Sequence, residues 1–292
     1  MDSPQTQTPP LNEKTILGHP RGLVILFLTE MWERFSYYGM RGLLVVYLTQ
    51  HFLFSDERSS LLYGAYTALV YVMTIIGGSL ADRYLGARKA VTFGAILLTL
   101  GHFGMTFEGS GSKQLLDYND TQYQITLDAR GGDAKQMIIS DAGISYVTFT
   151  ETDMVITEPQ AVGLPGVIPR DQFTMSVETE EGYLTMLYLS LALLIAGVGF
   201  LKANISTIVG SLYGFGDSRR DSGFTIFYMG INMGAFLASI FCGYLGIVHG
   251  WKYGFGLAGI GMLIGLLVFL SCQSWLEGKA EPPSVEKLKE KV

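Results

Sequence analysis

Residues Glu30 to Arg41 read E-M-W-E-R-F-S-Y-Y-G-M-R, inside a segment that is otherwise apolar from about Arg21 to Phe52. The polar members, Glu30, Glu33, Arg34, Tyr37, Tyr38 and Arg41, stand at i, i+3, i+4, i+7, i+8 and i+11. On an α-helix that spacing gathers all six on one stripe, while Ile25, Leu28, Trp32, Phe35 and Leu43 take the opposite side. The segment is long enough to cross a bilayer. An ionised residue at mid-membrane costs about 2.5–3.5 kcal/mol on the insertion scale. Four of them on one span are tolerable only where the stripe faces protein or a wet cavity. The spacing therefore predicts a helix that lines a pathway.

The rest of the chain fits a membrane setting. Its 292 residues are 49% hydrophobic and 16% charged, with a mean hydropathy of +0.32, and the apolar residues fall in long runs. Nothing in that composition suggests a nucleic-acid partner, and the runs predict an all-α, six-helix transmembrane bundle with one extramembrane insertion. After the first span (to about His51) and a short loop, Ser55 to Ser59, the second covers about Leu61 to Leu80. The charged turn A-D-R-Y-L-G-A-R-K leads to a third, about Ala90 to Phe107. The fourth, fifth and sixth cover about Tyr183–Val209, Phe224–Val248 and Tyr253–Trp275. In segments, residues 1–20 are a flexible tail, 21–107 hold three spans, 108–182 are the insertion, 183–275 hold three more spans, and 276–292 are a second, solvated tail. Residues 1–20 lack the basic-then-apolar layout of a cleaved signal, so the first span itself is expected to direct insertion. Lys and Arg concentrate in the connections between spans two and three and spans four and five. By the positive-inside rule those turns and both termini face the cytoplasm, the insertion lies outside, and the plasma (inner) membrane is the expected location.

The insertion is acidic, with thirteen Asp and Glu against four Lys and Arg between residues 108 and 182. Period-two alternation in Tyr123 to Leu127 and in Ile144 to Ile156, with Gly131-Gly132 as a turn, suggests a small β-rich fold. Disorder is the alternative. Asn119-Asp120-Thr121 matches a glycosylation sequon, a common and weak signal. The two cysteines, Cys242 and Cys272, sit in apolar segments without metal-ligand spacing and read as small hydrophobes.

Five ionisable groups with opposite signs lie within the spans: Glu30, Glu33, Arg34, Arg41 and Lys202. His102 stands apart and reads as a packed histidine, with a proton relay as the alternative; His51 and His249 fall at helix ends. A static network, in which the two glutamates neutralise Arg34 and Lys202, is one account of the charges. Buried pairs are poor stabilisers, however, because desolvation offsets their attraction. Three cations against two anions also leave an excess positive charge, which a ligand carboxylate meets through the forked grip of arginine. Glu30 and Glu33 suit proton coupling, because a buried carboxylate changes its proton affinity when its cationic partner is drawn away. Tyr37, Tyr38 and Tyr71 bring hydroxyls and flat faces suited to a ligand of constant backbone and variable side chains.

These stretches carry a resemblance. E-M-W-E-R-F-S-Y-Y-G in the first span resembles the signature of the proton-dependent oligopeptide transporter family, a branch of the major facilitator superfamily. So do G-G-S-L-A-D-R-Y-L-G-A-R-K, G-V-G-F-L-K-A-N and F-Y-M-G-I-N-M-G-A. The resemblance implies proton-coupled symport of di- and tripeptides, with a proton gradient as energy source and no cofactor. By position, Arg34 and Lys202 hold the peptide carboxylate, and Tyr37, Tyr38, Tyr71 and Asn232 line the pocket. Arg41 is a further pocket cation, Glu30 and Glu33 couple protons, and Asp82, Arg83 and Arg88 belong to a cytoplasmic gating turn. Members of that family carry two six-helix bundles with the pocket between them, and this sequence shows the first of them. Thr74 stands where a proline is common and Gly64 where animal members carry a histidine, which suggests a bacterial-type member. A second bundle is thus an expected partner. The rival expectation is a non-transporting half that serves as an interaction subunit or is a split-gene remnant. With no nucleophile–base pair and no metal cluster, an enzyme is not expected.

Overall fold

The computed structural model describes residues 14–128 and 135–281. These form two compact units, one mainly helical and one made of Leu48–Ser55 and Gly109–Leu184, the former piece being the end of the first long helix and the loop after it.

The helical unit opens on a two-strand ladder, β1 (Thr15–Ile16) and β2 (His19–Pro20), which occupies part of the expected flexible tail. It continues with α1 (Gly22–Gln50), α2 (Asp56–Leu80) and α3 (Ala87–Gly104). The α2 helix takes in most of the segment expected to be a loop. Asp56 and Glu57 fill its first turn, where negative charge complements the helix dipole; a polar run can therefore be a helix start. The charged turn after α2 is one π-helical turn, Ala81–Leu85, closed by Gly86 at φ 76°.

Helix α1 is the buried one. Leu26, Met40, Leu44 and Leu48 are inaccessible to solvent, as are the stripe residues Glu30, Glu33 and Arg34. Neighbouring helices approach α1 and each other through glycine. A Cβ on Gly234 lies 2.2 Å from the Met31 carbonyl oxygen, and one on Gly77 lies 2.3 Å from that of Gly199. Small residues at such crossings let backbones meet, the usual means of packing helices where the surroundings are as apolar as the side chains. Asn204 strengthens the second crossing by donating to the Gly77 carbonyl at 3.5 Å and to its own turn at Phe200 at 2.7 Å.

The second unit holds a seven-stranded antiparallel sheet. Its strands are β3 (Lys113–Tyr118), β4 (Thr121–Asp128), β5 (Lys135–Ser140), β6 (Gly143–Phe149), β7 (Asp153–Ile156), β8 (Val167–Pro169) and β9 (Phe173–Glu178). A short helix, α4 (Pro159–Val162), lies between β7 and β8. Strand order is β8-β7-β6-β5-β4-β3-β9, so chain neighbours pair except β8 and β9, which stand at opposite edges. Only Arg170–Gln172 joins those two edges, and the rings of Phe149 on β6 and Phe173 on β9 meet at 5.9 Å. The sheet is therefore rolled. Alternate residues face its interior, where Leu116, Ile125, Ile138, Val147, Met154, Ile156, Ile168 and Phe173 form the core with Val162 of α4. The alternation read at Tyr123 to Leu127 falls on β4, and the stretch Ile144 to Ile156 divides between β6 and β7. Asn119 and Asp120, both at positive φ, form the two-residue β3–β4 turn, a geometry that favours these residue types. The sequon thus begins on a tight turn. The proposed Gly131-Gly132 turn lies outside the described residues.

The chain then returns to the helical unit with α5 (Glu181–Ser211), α6 (Arg220–Tyr244) and α7 (Trp251–Ser271). In the α5–α6 connection, Arg219 donates to both oxygens of Asp217, at 3.0 and 2.7 Å, and holds that carboxyl below its ordinary value. Four stretches are long and apolar enough to cross a membrane among the described residues: Asp56–Leu85, Glu181–Ser211, Arg220–His249 and Trp251–Ser271. Neither α1, with its charged stripe, nor the 18-residue α3 is among them.

Candidate functional site

The stripe on α1 is a buried acid–base cluster. Arg34 contacts Glu33 on one side and Glu30 Oε1, at 3.1 Å, on the other. Glu30, Glu33 and Arg34 are 2%, 0% and 3% exposed. The 3.6-residue period places Glu30 and Arg34 one turn apart on the same face, so the local fold alone secures this pair. Gly234 of α6 comes within van der Waals reach of the Arg34 stem, and Gly261 of α7 packs against Phe35 and Ser36.

The cations of the cluster rest on aromatic faces. Arg34 lies over the Tyr37 ring at 5.0 Å, and Arg41 lies 6.0 Å from the same ring and 5.3 Å from that of Tyr63. Arg41 also donates through Nε to the Tyr63 hydroxyl. Across on α5, the Lys202 ammonium stands 5.3 Å from the Tyr71 ring. Such contacts hold a cation without neutralising it. Lys202 is an electrostatic neighbour of both Glu30 and Glu33, yet it makes no ion pair among the described residues. Of the network in which the two glutamates neutralise Arg34 and Lys202, the structure holds the Arg34 half as ion pairs. Of the three cluster cations, Arg34 is ion-paired, while Arg41 and Lys202 make no ion pair among the described residues.

Other residues named from the sequence are placed differently. Tyr37 is buried and meets the half-buried Tyr38 edge-on at 5.3 Å. Tyr71 is 62% exposed beside Lys202. Asn232 is exposed on α6 and donates to Tyr228 of its own helix at 3.2 Å. In the turn after α2, Asp82 and Arg83 are exposed. Arg88 is instead tied to the segment after α7. Its backbone N–H donates to Ala280 O at 3.0 Å, and its guanidinium donates to Gln273 at 2.8 Å and Glu281 at 2.9 Å. Arg21 pairs with Glu277 in the same segment at 3.3 Å, and Ser211 donates to Lys279 O at 3.1 Å. The described part of the expected solvated tail is thus a clasp that gathers the starts of α1 and α3 and the end of α5. His102 is buried in α3 with no hydrogen-bond partner for either ring nitrogen among the described residues.

Two site residues escape the sequence reading: Tyr63, the partner of Arg41, and Tyr66, which is buried. The signal was present, since Tyr63, Tyr66, Val70 and Thr74 follow a helical stripe on α2 that ends beside Tyr71.

With this geometry in hand, comparison with known proteins is informative. A family model described as POT family matches residues 88–291. The Di-/tripeptide transporter of Lactococcus lactis is 35% identical over 266 residues, 88% of this chain and 38% of that protein. The Peptide transporter YePEPT of Yersinia enterocolitica is 33% identical over 270 residues, 91% of this chain and 39% of that protein. Among solved structures, that of a peptide transporter POT in complex with sulfate superposes with a TM-score of 0.65 at 32% identity, covering 96% of this chain and 44% of the other. The chain therefore spans about two-fifths of the length of the relatives it matches, and these are transporters, not enzymes. A membrane-capable helical unit, a buried acid–base stripe on α1 and matches over most of its length give one conclusion: this chain belongs to the POT family.

Proposed function

We propose that this chain supplies the carboxylate-binding and proton-coupling bundle of a proton-driven symporter for di- and tripeptides. The observation that carries the proposal is the unequal cluster on α1 and α5, in which Arg34 is shared by Glu30 and Glu33 while Arg41 and Lys202 are held on tyrosine faces. A peptide carboxylate supplies the missing anion. Lys202 and Arg34 grip it, Tyr37, Tyr38 and Tyr71 pack along the peptide backbone, and Asn232 reaches it only after α6 turns towards the cluster. As Arg34 swings to the carboxylate, Glu33 loses its cation and takes up a proton, which couples the two cargoes. The Lactococcus lactis relative, described as a di-/tripeptide transporter, supports the substrate class.

In this reading α1, α2, α3, α5, α6 and α7 are six spans. Burying the charges of α1 among its neighbours is what allows that helix to cross. Arg83, Arg88, Lys89, Arg219 and Arg220 put the intervening turns and both termini on the cytoplasmic side of the plasma membrane, with the β unit outside. A second six-helix bundle closes the pocket, and the proton gradient is the energy source without any cofactor. Glu33→Gln is expected to remove the acceleration of labelled dipeptide uptake by an inward proton gradient in vesicles, while exchange of peptide across a vesicle without a gradient persists. Undiminished acceleration in that variant sinks the coupling role.

The folded sheet favours a second reading, in which the chain is a non-transporting subunit that presents this sheet to a partner. Reconstituted vesicles separate the two, because a subunit of that kind takes up no peptide under any gradient.

A further inference from the structure

Tyr66 is the one buried tyrosine near the acid–base cluster that the proposed function leaves without a task. It is 2% exposed, and its hydroxyl has no hydrogen-bond partner among the described residues. A buried hydroxyl left unpaired is destabilising where phenylalanine would fill the same space. Its position is fixed from two sides. One turn earlier on α2, Tyr63 accepts a hydrogen bond from Arg41, which turns that face of α2 towards α1. Tyr66 has Glu33, Arg34, Tyr37 and Arg41 as its electrostatic neighbours. Of these, Glu33 has a buried Oε1 with no hydrogen-bond partner among the described residues. A donor and an acceptor are thus both buried and unpaired in one neighbourhood, with Arg34 occupying Glu33 from the other side.

We infer that Tyr66 is a positioning residue of the cluster, its hydroxyl donating to the Glu33 carboxylate in the interval between the departure of Arg34 and the arrival of the proton. Glu33 then alternates between two partners, a cation and a neutral donor, and its charged form is never left bare. The groups coupled to Glu33 are Glu30, Arg34 and Tyr37 from α1, Tyr66 from α2 and Lys202 from α5, with Arg41 and Tyr63 acting on this face through Tyr37 and Tyr66. The inference rests on Glu33 being the group that exchanges protons.

Infrared titration of purified Arg34→Met protein, in which Glu33 has no cation beside it, tests it independently of transport. The band of protonated Glu33 is identified by its loss in Glu33→Gln and followed against pH. Tyr66→Phe removes a donor to the charged form, so the midpoint of that band moves to higher pH by about one unit. Replacing Tyr66 with difluorotyrosine, a stronger donor of the same shape, moves it the other way. Opposite shifts support the assignment, and a midpoint unmoved by both changes overturns it. Failure of the unsubstituted protein to take up any peptide defeats the proposed function, and the band titration still decides the place of Tyr66.

Discussion

Uptake of a labelled dipeptide is expected to fall by about a hundredfold or more when Arg34 is replaced by alanine. Removing one partner of a buried ion pair costs roughly 3–5 kcal/mol, and every ~1.4 kcal/mol is tenfold. Arg34 answers two carboxylates, so its loss leaves Glu30 and Glu33 buried, adjacent and unneutralised. Both uptake and thermal stability should suffer. Lys202→Ala provides the contrast. Lys202 is half-buried and makes no ion pair among the described residues, so its removal should abolish uptake while the melting temperature changes little. If Lys202→Ala protein melts normally and transports normally, the assignment of Lys202 to the peptide carboxylate fails. If Arg34→Ala protein is as stable as the original, the buried cluster is not what holds α1 in place.

The second large effect is expected at Gly77. A Cβ there meets the Gly199 carbonyl oxygen at 2.3 Å and the carbonyl carbon at 2.5 Å. Both are backbone atoms, which cannot rotate aside as a side chain can. Leucine at this position must push α2 from α5 and break the Asn204 bond to Gly77 O. Overpacking of this kind costs about 1–3 kcal/mol and occasionally more, enough to lower the melting temperature by roughly 5 °C. Gly64→Leu on the same helix is the control, since nothing lies within 4 Å of its Cβ position. Equal melting of the two variants in detergent means that the crossing does not govern stability.

How much of this was legible beforehand differs between the two units. Long apolar runs place α5, α6 and α7 within a few residues, and the stripe of Glu30, Glu33 and Arg34 follows from helical periodicity alone. Boundaries were harder where polarity has a local use, as in the acidic first turn of α2. In the β unit, Tyr123 to Leu127 shows clean alternation, but K-Q-L-L-D-Y of β3 does not, because Leu115 and Leu116 lie on opposite faces and both are covered. The rolling of the sheet depends on contacts such as Phe149 with Phe173, which no periodicity reveals. In the site, Tyr63 resembles any tyrosine of an apolar helix until the Arg41 guanidinium is seen beside it, and Tyr66 until its burial with an unpaired hydroxyl is known. Arg88 looks like a member of a charged turn, yet its partner Gln273 is 185 positions away in the chain. Asn232 was named by resemblance, and its bond to Tyr228 uses only its own helix.

The register of the rolled sheet has a consequence for how such an addition is tolerated. Lys113, near the point of entry, pairs with Glu178, near the point of exit. The polypeptide therefore leaves the unit one strand-spacing, ~5 Å, from where it came in. A guest of sixty-odd residues attached through neighbouring strands imposes on its host no more separation than a plain hairpin does.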